Sequence, residues 1–230
     1  MFGHLQGWFE KKAIHIFIGD YWRRFFPKLP SYQTFVARLN QLEQTFQTIA
    51  GYLSQQLGQA RSPEIDHLID SLQVMLAKVG HAYTATVARE VANVGFCASK
   101  KTYFHGVRLY TITQRRNGTL PLPNQIWMRE GSCHDLRSVK ADPNFETMLK
   151  EQQTTLYAPR KKPKGNESDD TQKYYNHLVS RLRQPIESFF NWLIDKTDIQ
   201  RASTVRSTDD LLDHCFGKLT VAFLLLVSNS

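Results

Sequence analysis

The stretch from Arg181 to Ile194 constrains this chain more than any other. Ile186, Phe189, Phe190, Leu193 and Ile194 recur at i, i+3, i+4, i+7 and i+8, the spacing of a helix that buries one stripe. Glu187 lies one residue, about 100° of helix, past Ile186, so its carboxylate falls at the margin of that stripe, with Arg183 four residues before it and Asn191 four after. Pro185 suits a first helical turn. There an acid is favoured by the macrodipole and by pairing with Arg183, which would make Glu187 an ordinary helix-terminal acid. A second carboxylate gives it another meaning. The run Ile65-Asp66-His67-Leu68-Ile69-Asp70-Ser71 ends a short apolar, strand-like segment on Asp70, and a strand end beside a core helix is where two distant carboxylates can converge on one cation.

At 230 residues the chain can build one good-sized domain and a smaller appendage. Lys and Arg outnumber Asp and Glu by 29 to 21, a formal charge of +8, which biases the partner towards a polyanion such as nucleic acid. Cys97, Cys133 and Cys215 are an odd number without a C-x-x-C pair, so neither a disulfide framework nor a zinc knuckle is indicated, and a reducing compartment fits. The apolar run Leu219 to Val227 is too short to cross a bilayer, and no signal-peptide core opens the chain. The expectation is a soluble cytoplasmic protein without a membrane partner.

Along the chain, Tyr21-Trp22-Arg23-Arg24-Phe25-Phe26 is closed by Pro27 and Pro30, which end any preceding helix. Ser31 caps a helix that keeps its spacing from Tyr32 to Leu53. Residues 1–60 therefore form a helical N-terminal region, with Lys28 and Arg38 placed for DNA contact or for a plain packing role. After the boundary at Arg61-Ser62-Pro63-Glu64 comes the Asp70 strand, which Ser71 to Lys78 either continue or leave; His81 to Lys101 carries no assignable element. Tyr103 to Thr113 is rich in aromatic and β-branched residues, Asn117-Gly118 supplies a turn, and Leu122 to Met128 returns, so residues 103–130 form an antiparallel hairpin beside the Asp70 strand. A helix from Asp142, a short strand over Thr154 to Ala158 and the polar loop Pro159 to Asp170 follow. That loop carries Arg160, Lys161, Lys162 and Lys164, a solvated run or a phosphate contact. A last helix runs from Leu211 to Val227, with Thr208 to Asp210 as its cap. The tryptophans and phenylalanines are expected in the core.

Ile69-Asp70-Ser71, the Tyr103-Phe-His-Gly-Val-Arg-Leu strand, the turn to Leu120-Pro-Leu-Pro, the His134-Asp135 step and Arg183-Gln-Pro-Ile-Glu187-Ser-Phe-Phe occur in one order. In that order and spacing the chain resembles the DDE transposases of bacterial insertion sequences over most of residues 30–225. The resemblance implies an α/β fold: an RNase H-like mixed sheet with flanking helices over residues 61–230, behind the helical N-terminal region. It also implies two Asp and one Glu holding two Mg²⁺ or Mn²⁺ ions, insertion-sequence ends and target DNA as partners, and action as a homodimer. Two such ions can activate the nucleophile and stabilise the leaving oxygen of an in-line phosphodiester displacement, and hard Mg²⁺ prefers carboxylate oxygen.

Asp70 matches the first family aspartate and Glu187 the glutamate, with Arg183 in the R-x-x-x-E spacing and counted among the DNA-contacting residues with Arg160, Lys161, Lys162 and Lys164. Ser180 stands where the family has Tyr, and Ile194 where it has Lys. Asp142 is the nearest match to the second aspartate, but Pro143 replaces the following lysine. Only six residues separate Asp135 from Asp142, which leaves no room for the family's intervening helix and strand. The resemblance thus implies an internal deletion that removed a central strand and disturbed the core around residues 133–155. Three functions stand open: an active or truncated transposase using Asp70, Asp142 and Glu187; a DNA-binding remnant without catalysis; and a structural protein that binds no nucleic acid.

Overall fold

A computed structural model describes residues 10–59, 67–98, 100–116, 118–133 and 170–228. Helix α1 spans Lys11–Tyr21; the backbone N–H of Trp22 closes it on the Ile18 carbonyl at 3.1 Å, before Pro27. Helix α2 spans Tyr32–Asn40 and α3 spans Glu43–Gln59. Ser31 caps α2 as its sequence requires, accepting from the Thr34 N–H at 3.4 Å. The helix expected to run unbroken to Leu53 is interrupted at Gln41-Leu42. Apolar spacing persists through the break, so periodicity alone does not show it.

Four strands follow: β1 His67–Lys78, β2 Asn93–Cys97, β3 Thr102–Gln114 and β4 Leu122–Glu130. The expected hairpin is there as β3 and β4, paired antiparallel with Tyr110 opposite Trp127. Strand β3 is the spine of the sheet. One of its edges pairs with the whole of β1; the other is shared end to end, residues 102–106 with β2 and 107–114 with β4. All these pairings are antiparallel, and one isolated parallel bridge joins Met75 to Arg201. Two sequence expectations change here. Asp70 is the fourth residue of a twelve-residue strand and does not end it: of the two courses open to Ser71 to Lys78 the strand continues, because Leu72, Val74 and Leu76 keep the buried alternation. The unassigned stretch 81–101 holds β2, a five-residue strand whose central Gly95 weakens its pattern. That glycine is required, since a Cβ there would lie 2.1 Å from the Gly131 carbonyl oxygen.

Helix α4 runs from Asp170 to Thr197 and α5 from Thr208 to Ser228. Pro185 is interior to α4, not in its first turn. It removes one backbone hydrogen bond, and the burial of Val179, Ile186, Phe189, Phe190 and Leu193 along the same helix outweighs that loss. The N-cap of α5 is Ser207, which accepts from the Asp210 N–H at 3.1 Å, one residue before the expected position. Among the described residues α5 is the one helix long and apolar enough to cross a membrane, and most of that apolar stretch is buried inside the protein. Its Leu211, Leu219 and Phe223 form one core with Leu53 and Leu57 of α3, Ile186 and Leu193 of α4, and Leu72, Val74 and Leu109 of the sheet. Residues on either side of position 60 thus share a single core. Phe104, Phe189 and Phe223 are fully buried, whereas Phe96 is 45 % exposed and packs against Tyr103 at 5.0 Å between ring centroids.

Candidate functional site

Alternation along β1 places Asp70 on the face of Leu68, Leu72 and Val74, the face that the helices cover. There it meets α4. Arg183 Nη2 lies 2.7 Å from Asp70 Oδ2, with the two side chains 34 % and 13 % exposed, and the Ser71 N–H donates to Asp70 Oδ1 at 2.9 Å. A charge-assisted bond of this length is among the stronger kinds a side chain makes. Arg183 therefore pairs with Asp70 across the fold and not with Glu187 along its helix, as the sequence suggested. Arg183 Nε is buried without a hydrogen-bond partner among the described residues, so the guanidinium is only partly satisfied.

Glu187 is exposed. Four residues are about 6 Å of helix rise and 40° of rotation, so Glu187 follows Arg183 on the same flank of α4 that faces Asp70. The structure thus brings Asp70 and Arg183 into contact and sets Glu187 one turn away. Asp142, Arg160, Lys161, Lys162 and Lys164 lie outside the described residues, as do His134 and Asp135. Among the described residues no group of three His, Cys, Asp or Glu side chains is arranged to hold a metal ion.

On the opposite face of the sheet sits a charged residue that the sequence did not single out. Arg108 is 7 % exposed and donates to the Gly131 carbonyl at 3.0 Å, the Phe96 carbonyl at 2.8 Å and Ser71 Oγ at 3.3 Å. One guanidinium thereby fastens β1, β2 and the end of β4 to β3, with the Phe104 ring 5.9 Å away. Ser71 links the two faces, its N–H on Asp70 and its hydroxyl on Arg108. The only sequence hint of this was a lone arginine in an otherwise uncharged strand.

A concave feature lies on the other flank of α4. Between it and the β3–β4 turn is a cleft of about 680 Å³ whose lining includes Arg115, Arg116 and Arg181. The Arg115-Arg116 pair beside the turn was visible in the sequence, but nothing there placed it against Arg181. Compared with protein-family models, curated proteins and solved structures, the chain matches none.

Proposed function

We propose that this chain is a DNA-handling protein of the DDE transposase type, with Asp70 and Glu187 as two carboxylates of a divalent-cation site and Asp142 as the third. The observation that carries this is the Asp70–Arg183 contact, which ties the first strand to α4 and leaves Glu187 one turn away on the same flank. An RNase H-like arrangement belongs to the proposal; its support is an acid on a long strand, antiparallel neighbours, and a helix bearing the second acid packed against that strand. The donor chemistry suits a hard cation, since both groups are oxygen anions, and bound Mg²⁺ or Mn²⁺ would supply Lewis-acid activation of a phosphodiester. Asp70 would hold the cation from the sheet side and Glu187 from the helix side. Arg183 balances the Asp70 charge meanwhile, and its unsatisfied Nε lowers the cost of moving it aside.

A second function, DNA binding without catalysis, is favoured by that same arginine, because it neutralises Asp70 directly. Mn²⁺ calorimetry on the folded chain separates the two. Cation binding is expected in the parent, is expected to fall at least tenfold in Asp70→Ala and Glu187→Ala, and to tighten in Arg183→Gln, where a competing positive charge is gone. A parent that melts cooperatively yet binds no Mn²⁺ rules out the cation site and leaves the DNA-binding remnant.

A further inference from the structure

The cleft between the β3–β4 turn and α4 lies apart from the Asp70 contact. Arg183 faces β1, whereas Arg181 precedes it by two residues, about 200° of helix rotation, and points to the other flank. There Arg181 and Gln184 face Arg115 and Arg116 across a space of about 680 Å³. The described lining contains three guanidinium groups and no carboxylate. Like charges gathered in one concavity repel one another, and the low-dielectric walls concentrate their field on whatever enters. Leu178, Leu182 and Pro185 supply an apolar wall on the helix side, which keeps the arginines from being wholly solvated.

We infer that this cleft binds the phosphodiester backbone of a nucleic-acid strand, with Arg116 gripping it from the hairpin and Arg181 from the helix. The inference rests on the DNA-handling function proposed above and gives it a surface. Arginine suits this task because its planar fork meets two phosphate oxygens at once. Donors on both walls suit a backbone that carries a charge on every nucleotide. None of these contacts would read base sequence, so the cleft would position DNA and leave specificity to other surfaces.

The test uses the full chain and a fluorescein-labelled DNA of mixed sequence, single- or double-stranded, followed by anisotropy across a salt series. EDTA is present throughout, so the result does not depend on a cation site. The parent is expected to bind with a linear fall of log K against log salt, and Arg116→Gln with Arg181→Gln is expected to reduce that slope by about two, roughly one per phosphate contact. The corresponding lysine variants keep the charge and should restore most of the slope, while Arg89→Gln, outside the cleft, should leave it unchanged. If the double variant melts early, Arg181→Gln alone is used, since that side chain is exposed, with an expected change of about one. A parent that binds DNA with a slope indifferent to these arginines overturns the cleft but not DNA handling. A parent that binds no DNA overturns both. Displacement of the DNA by inorganic phosphate at matched ionic strength would make the cleft a free-anion site and overturn its assignment to a strand.

Discussion

Lys218 is an amine held inside the protein, 2 % exposed, donating to the Asp198 carbonyl at 3.1 Å. That carbonyl lies just past the C-terminus of α4, where a cation is favoured, but burial dominates and pushes the pKa of Lys218 down to about 8 from 10.5. Between those values the unfolded chain binds more protons than the folded one, so stability rises with pH. Cys215 acts in the opposite sense from pH 9 upward, because burial pushes its thiol up to about 12 and the folded state then holds the extra proton. The clean window is pH 8 to 9. Unfolding free energy is expected to rise there by about 1 kcal/mol, and Lys218→Met to remove the rise; urea melts at the two pH values measure both. The burial of this lysine was foreseeable from the apolar residues around it. Its partner, twenty positions earlier, was not, and the same holds for Arg183, which local spacing assigned to Glu187 and the fold gives to Asp70.

At the level of elements, the sheet depends on close backbone approach. A Cβ on Gly106 would lie 2.1 Å from the Val74 carbonyl oxygen, so Gly106→Ala must part β3 from β1. Gly51, inside α3, has nothing within 4 Å of that position, and a helix interior prefers alanine. Gly106→Ala is expected to destabilise by roughly 2–3 kcal/mol and Gly51→Ala to stabilise by roughly 0.5–1 kcal/mol; denaturation midpoints of the two variants check the contrast. The sequence made the β3–β4 hairpin legible because the turn has its own chemistry, with Gly118 at a φ of 71°. Strand β2 was illegible for the complementary reason, since a short strand interrupted by glycine leaves no alternation to count. The continuity of α4 through Pro185 was hidden because tertiary burial overrode a local breaker.

Across the whole molecule, one lysine ties distant segments together. Lys11 Nζ lies 2.7 Å from Asp210 and 2.6 Å from Asp213 and donates to Asn40 at 2.7 Å, which fixes α1 to both α2 and α5. Burial pulls the Lys11 pKa down, but the two aspartates outweigh it and hold the ammonium above its ordinary value; Asp213, driven by its own burial, sits above the usual carboxylate range. Lys11→Met would leave two carboxylates together without their cation. A loss of about 2–3 kcal/mol is expected, with faster protease cleavage around residues 22–30, read by melting curves and by mass spectrometry of the fragments. Such a clamp is invisible in a linear sequence, as is the core shared by α3 and α5. The spine role of β3 has a consequence for how the protein is made. Its neighbours β2 and β4 lie close by in the chain and can pair with it within microseconds of emerging, whereas Thr220 of α5 reaches the Phe46 carbonyl across 174 positions. On the ribosome α4 and α5 are the last described elements to emerge, so the strands can pair before α4, which packs against β1 through the Asp70–Arg183 contact, has been translated. In that interval the apolar face of β1 is open to other nascent chains, and a pause in translation before residue 170 would prolong the exposure that leads to aggregation.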